Sequence, residues 1–283
     1  MLHNAIERIL EAQAAWADSL GKLFVAIFAA LYKPVPVIKD LLHGVWLGHP
    51  LHPAITDVPI GAFVVAVVLD LTGQRMGATA AIGVGIVFML VAALAGYADY
   101  IDLEEKTRRF GTVHSSLMLV ALVFYVVSFV MRLGAVPSAA EVWLSLIGFV
   151  IVITSAYVGG ELVYNLGTQV DRHAWRGGGT RWAALDVTDV PADRPVKAKA
   201  GAQTLVVVRR GAGLNALHDV CAHQGCSLSE GKIVGDAIEC KCHGSRFRLR
   251  DGLVVRGPAV FDQPHYEVRE AEGKLEVRRT DTR

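Results

Sequence analysis

Four long apolar segments occupy the first 165 residues of this 283-residue chain, over positions 53–72, 77–97, 111–132 and 140–164. Each is near the length a helix needs to cross ~30 Å of hydrocarbon. The links between them are short: Gly73-Gln74-Arg75-Met76, a charged stretch from Asp99 to Arg109, and Leu133 to Ser138. Short links make neighbours antiparallel, so the expected unit is an up-down bundle of four transmembrane helices. Gly83, Gly85, Ala92, Ala93 and Gly96 let the second helix approach its neighbours closely. Asp70 lies at the far end of the first helix and is given no role.

Residues 1–44 read as a separate N-terminal segment. Ile6, Ile9, Leu10, Leu20, Leu23, Phe24, Ile27, Phe28 and Leu31 recur at helical spacing, interrupted by Glu7, Arg8, Glu11, Asp18 and Lys22. The unbroken apolar run from Leu23 to Tyr32 is too short to span a bilayer. Two readings stay open: an amphipathic helix on the membrane surface, or a helix packed on the bundle. Without a basic n-region and cleavage site, no signal peptide is expected. Lys and Arg set the orientation. Lys22, Lys33, Lys39, Lys106, Arg108, Arg109, Arg172, Arg176 and Arg181 fall on one side, against Arg75 and Arg132 on the other. A multi-pass protein of the bacterial inner membrane is expected, with both termini cytoplasmic. The formal net charge of +1 gives no ground for a nucleic-acid partner.

After residue 165 the composition changes. Residues 166–179 read as a linker, with Arg176-Gly177-Gly178-Gly179 flexible by composition. Over 180–283 the pattern has period two. Strands are expected at 203–209, 214–220, 236–239, 246–250, 253–256, 265–269 and 274–278, separated by turns such as Asp251-Gly252 and Glu272-Gly273. This is a small all-β domain.

All four cysteines of the chain lie in two boxes of that domain, Cys221-Ala222-His223-Gln224-Gly225-Cys226 and Cys240-Lys241-Cys242-His243-Gly244-Ser245. Each box offers one Cys and one His as a ligand pair: Cys221 with His223, and Cys240 with His243. Two thiolates and two imidazoles suit a [2Fe-2S] cluster in which His replaces Cys on one iron. A structural zinc site accepts the same donors. Zinc motifs usually pair Cys with Cys and His with His, and the mixed boxes favour the cluster.

The boxes resemble the Rieske iron–sulfur family. The resemblance implies cluster ligands at Cys221, His223, Cys240 and His243, and a disulfide between Cys226 and Cys242 as in the cytochrome bc branch. It implies a hydrogen bond from Ser245 to a bridging sulfide, and a covering loop at Gly257-Pro258-Ala259. Phe247 stands where that branch has a tyrosine. Phe donates no hydrogen bond, and such bonds raise the potential. A potential below the top of the roughly −150 to +300 mV Rieske range is therefore expected. Leu228-Ser229-Glu230-Gly231 and Phe247-x-Leu249-x-Asp251-Gly252 are similar to soluble oxygenase ferredoxins of the same family, which are cytoplasmic. Arg246, Arg248 and Arg250, with Lys241 and Arg256, make a basic patch. It suits an acidic redox partner or anionic headgroups, or serves only to discourage strand pairing.

The bundle has its own motif, Gly48-His49-Pro50-Leu51-His52-Pro53 followed by Pro59-Ile60-Gly61. It resembles a bacterial family of small four-helix membrane domains with no assigned function, over roughly residues 45–170. Helix direction gathers His49, His52, Asp57, His114, Asp99 and Glu161 at one depth. Ionisable groups at such depth are functional candidates. Haem b held by His52 and His114, a quinone pocket, a divalent metal site, and a merely turn-shaping role all remain open. The expectation is a membrane-anchored, oxidoreductase-type one-electron carrier with a protein or quinone partner. A membrane-bound redox sensor is the alternative.

Overall fold

The computed structural model describes residues 2–174 and 180–280, so the last part of the expected 166–179 linker, residues 175–179, lies outside the described residues. The chain divides into two compact units. One is Met1–Ile38 with Leu51–Thr168, the other Lys39–Pro50 with Gln169–Arg283.

The first unit is helical: α1 (Leu2–Glu11), α2 (Ala14–Tyr32), α4 (Leu51–Leu71), α5 (Arg75–Tyr100), α6 (Glu105–Arg132) and α7 (Ala139–Gly160). Hairpins α4–α5 and α6–α7 form the bundle. Small side chains set their spacing: a Cβ on Gly85 would overlap the Phe63 ring, and one on Gly148 would lie 3.1 Å from Tyr125. Phe63, Ile82, Met89, Tyr125 and Val152 fill the centre. Val64, Val68, Val87, Leu90, Val123 and Val150 cover the outside. An apolar exterior of this kind is what a lipid-facing bundle presents.

The expectation of four membrane-length helices is one short, because α2 is also long and apolar enough to cross. The unbroken apolar run from Leu23 is only the second half of it. The helix starts nine residues earlier and includes Asp18 and Lys22; the Asp18 charge is met on α6. Arg109 pairs with Asp18 at 2.8 Å and with Glu11, and Lys106 with Glu7. Tyr32 donates to the Leu94 carbonyl at 2.8 Å, and Phe28 stacks on Tyr97 at 3.7 Å. These partners cluster about the α5–α6 turn, so α2 is a helix packed on one end of the bundle.

Asp70 also has a structural role that its position did not suggest. It receives Arg132 through two hydrogen bonds of 2.7 Å, and both side chains are almost fully buried. Ser145 donates to the same carboxylate at 3.1 Å. Arg75 and Glu141 pair beside them.

The second unit carries the β domain. Helix α3 (Pro36–His43) runs into it, followed by a 3-10 turn at Val45–Leu47. One antiparallel sheet has the order β1-β10-β9-β4-β3-β2, the other β5-β6-β7-β8. The strands are β1 (Ala183–Ala184), β2 (Val196–Ala200), β3 (Gln203–Arg210), β4 (Gly213–His218), β5 (Lys232–Val234), β6 (Ala237–Glu239), β7 (Arg246–Arg248), β8 (Val254–Arg256), β9 (His265–Ala271) and β10 (Lys274–Arg279). The seven expected strands are present. Strands β1, β2 and β5 are additional: two are very short, and β2 alternates lysine with alanine rather than with a large apolar residue. The expected division after residue 44 does not coincide with a structural one, since residues 39–50 belong to the β unit.

Candidate metal centre

The two cysteine boxes fold alike. In the first, Cys221 N donates to Cys226 O at 2.8 Å and Gly225 N to Cys221 O at 2.9 Å. In the second, Cys240 N donates to Ser245 O at 2.8 Å and Gly244 N to Cys240 O at 3.1 Å. The fifth residue of each closes the loop at positive φ, +87° for Gly225 and +78° for Gly244, which only glycine adopts freely. A Cys226–Cys242 disulfide joins the loops.

This arrangement brings the four expected ligands together as two pairs. Cys221 and Cys240 are free and buried, and their thiols hydrogen-bond to each other. That bond brings Cys240 down to about 6, helped by the backbone N–H groups of Cys242 and His243 and opposed by burial. The same bond, with burial, pushes Cys221 up. The His223 and His243 rings lie 4.9 Å apart and nearly perpendicular. His223 is held well below the usual imidazole range, first by burial and then by the basic neighbours His243, His43, Lys39 and Arg172. Its Nδ1 is buried without a hydrogen-bond partner among the described residues. A buried imidazole nitrogen with a lone pair beside two paired thiols fits a metal cluster. The sulfurs of Cys226, Cys240 and Cys242 also lie within 4.8 Å of one another. Two of those three are bonded to each other, so they are not available as thiolates.

The surroundings brace the loops. Ser245 is fully buried, and its Oγ accepts from Ala259 N at 3.0 Å, which keeps its own proton for another acceptor. Pro258 is buried in the covering loop. Phe247 fills the same core cluster as Cys221 and Cys240. Asp219 is buried and accepts from Ser227 Oγ at 2.6 Å and Ser229 N at 2.7 Å. Burial opposes its charge, but these bonds and Lys197 prevail and hold it below the usual carboxylate range.

Sequence reading missed several residues here. Gln263 Nε2 donates to the carbonyls of His218 and Val220 at 2.6 Å each, while its Oε1 accepts from Ala222 N at 2.9 Å. Residues 39–50 reach the covering loop: Gly257 N donates to Asp40 Oδ1 at 2.9 Å. A Cβ on Gly257 would lie 3.0 Å from His43 and 3.2 Å from Val45. No motif announces a segment that joins a domain more than a hundred residues later. The basic patch is largely neutralised. Arg246 pairs with Glu239 and Arg248 with Asp251 at 2.6 Å each, and Lys241 pairs with Glu230.

Of the six candidate residues, His49 falls in the β unit and the other five in the helical unit, where two of them meet. His52 and His114 have ring centres 6.3 Å apart. His49 is exposed, with Nδ1 2.9 Å from the Pro50 carbonyl, and Asp57 is exposed. Glu161 accepts from Asn165, and Asp99 is buried at the end of α5. Among the described residues, no three His, Asp or Glu donors of this unit converge as a metal site.

Residues 181–267 match the family described as Rieske [2Fe-2S] domain, and residues 48–172 that described as predicted membrane protein (DUF2231). A curated relative, ferredoxin CarAc of Metapseudomonas resinovorans, is 38% identical over 79 residues, 28% of this chain and 74% of its own length. The anthranilate 1,2-dioxygenase ferredoxin subunit of Burkholderia cepacia is 32% identical over 97 residues, 34% of this chain and 90% of the relative. The cytochrome b6-f complex iron-sulfur subunit of Chlorobaculum tepidum is 34% identical over 73 residues, 26% of this chain and 39% of the relative.

Proposed function

Because this chain belongs to the Rieske [2Fe-2S] family and carries a domain of a predicted membrane protein family ahead of it, we propose that it is a membrane-anchored carrier of single electrons. Cys221 and Cys240 hold one iron, and His223 and His243 the other. The cluster supplies reversible one-electron chemistry when bound. The chain's own residues do the rest: the paired loops fix the ligands, Ser245 and the backbone N–H groups at the sulfurs stabilise negative charge, and Phe247 excludes water. The observation that carries this reading is the buried, unpartnered His223 Nδ1 beside the Cys221–Cys240 thiol pair. Absence of a hydrogen bond from position 247 places the potential below the top of the Rieske range.

The partner is a redox protein or a quinone. Neutralisation of the Arg246–Arg248 strand speaks against a strongly acidic docking face. The lysine and arginine bias places both termini and the β domain on the cytoplasmic side of a bacterial inner membrane. Replacing His223 with Ala is expected to abolish the EPR signal of the reduced cluster in purified protein; an unchanged signal refutes the ligand set. A C-terminal alkaline phosphatase fusion is expected to be inactive, and strong activity reverses the orientation.

A further inference from the structure

The two hairpins of the bundle are copies of one another. On α4 the buried positions are Pro59, Phe63 and Ala66; α6 buries Ala121, Tyr125 and Ser128, each 62 residues on. On α5 the run is Ala78, Ile82, Gly85, Met89, Ala92, Ala95. On α7 it is Glu141, Ser145, Gly148, Val152, Ser155, Val158, each 63 residues on. Little of this is visible as residue identity, because what repeats is which positions face inward.

Three pairs of equivalent residues meet across the hairpins: Asp70 with Arg132, Phe63 with Tyr125, and His52 with His114. A residue meeting its own counterpart is the signature of a twofold axis, here one between parallel repeats. The first pair is satisfied by its hydrogen bonds, and the second by stacking at 3.7 Å and 7°. The histidine pair is different. His52 Nδ1 lies 2.8 Å from the Ala92 carbonyl, and His114 Nδ1 2.8 Å from the Ser155 carbonyl. A carbonyl only accepts, so Nδ1 carries the proton in both rings and each Nε2 keeps a lone pair. Four residues after each carbonyl stands a glycine against the ring. A Cβ would lie 2.8 Å from His52 at Gly96 and 3.2 Å from His114 at Gly159. Among the described residues the hydrogen bonds of both rings run through Nδ1, with Ser155 Oγ also 3.0 Å from His114 Nδ1, which leaves each Nε2 lone pair for a ligand.

We propose that His52 and His114 bind one metal centre on this pseudo-twofold axis, each through Nε2. A ligating histidine typically donates its other ring N–H to a carbonyl, and both do. Metal–nitrogen bonds of about 2.0–2.1 Å on opposite sides of one ion, with about 1.1 Å more to each ring centre, put the rings roughly 6.2–6.4 Å apart. The observed separation is 6.3 Å, and the rings are crossed at 84°. Opposed imidazoles suit haem iron or a bare ion with a preference for imidazole, such as copper. The site rests on the bundle alone. It deepens the electron-carrier reading by giving the membrane domain a centre of its own, while the cluster is read separately.

The test is metal and haem content of the purified full-length protein in detergent, from cells supplied with iron, copper and haem precursor. One metal per chain beyond the two cluster irons is expected. It should fall at least tenfold in His52→Gln and in His114→Gln, with the EPR signal of the reduced cluster unchanged. A stoichiometric haem extract identifies haem iron; stoichiometric copper without haem identifies the bare ion. Gly159→Ala leaves every ligand in place but crowds His114, and should shift the absorption or EPR spectrum of the bound centre. Wild-type protein that contains only cluster iron, and takes up neither haemin nor Cu(I) on titration, overturns the proposal. Full metal retention in both Gln variants, or an unshifted spectrum in Gly159→Ala, also overturns it.

Discussion

The cysteine loops of the β domain and the axis of the helical bundle are both built from one local device used twice. In the β domain the device is a six-residue loop closed by two backbone hydrogen bonds and a left-handed glycine. In the bundle it is a histidine bonded to a carbonyl over a glycine. They differ in what holds the two copies together. The loops are joined covalently through Cys226–Cys242. The hairpins are joined by an aromatic stack and a buried ion pair. Loops lack an internal core of their own, so their mutual position needs a tie. Helices present long complementary faces, and packing supplies most of the register. Apolar packing alone is indifferent to small slides, whereas a bidentate ion pair accepts only one alignment.

The sharpest way to break the bundle's half of this comparison is to remove one charge. Arg132→Met leaves the Asp70 carboxylate buried without its partner. The cost of stranding one member of such a pair is about 3–5 kcal/mol. Unfolding in mixed micelles should register most of it. The double variant Asp70→Leu with Arg132→Met should recover most of the loss, since apolar replacement of both partners is often neutral. A double variant as unstable as the single one refutes the view that the pair serves alignment.

The corresponding test in the β domain replaces both disulfide cysteines with alanine. The bond closes a segment of sequence separation 16. A loop of that size is worth about 3 kcal/mol. Denaturant midpoints followed by tryptophan fluorescence should fall accordingly, and dithiothreitol should lower the wild type toward the variant. An unchanged midpoint means that the loops are positioned by Gln263 and the core without the covalent tie.

These two halves were not equally legible in the sequence. The loops were, because cluster chemistry demands particular donors at particular spacings, and Cys221, His223, Cys240 and His243 carry that demand in their identities. Helix positions followed from apolar length. Partners across the bundle did not: nothing local to Asp70 points to Arg132, 62 residues away. Helix direction alone puts six ionisable residues at one depth, but rotation about each helix axis decides which side chains meet, and among the described residues His52 and His114 do. Alternation put Arg246 and Arg248 on one strand face, and their cancellation by Glu239 and Asp251 depends on neighbours that alternation does not reveal. Asp40 and His43 belong to the β unit through a loop contact that no periodicity encodes.

The smallest effect separates the covalent tie from the polar bracing beside it. Asp219 holds Ser227 and Ser229 just after the first loop, and its folded-state pKa lies below the ordinary value. A depressed carboxylate stabilises above the unfolded pKa, and the contribution is lost as pH falls through the folded one. Asp219→Asn keeps the shape but removes the charge and weakens the bonds, each worth about 1.5–3 kcal/mol at most when the acceptor is ionised. Hydrogen exchange over residues 227–231 should therefore be faster in the variant near neutral pH. The gap should stay constant down to about pH 5, given an ordinary Asp pKa near 3.9, and narrow below about pH 4 as the wild-type carboxylate takes up its proton. A gap that does not change with pH assigns the bracing to shape and hydrogen-bond count alone. A gap that closes in acid shows that a charge at Asp219 does for the loop's flank what Asp70 and Arg132 do for the bundle.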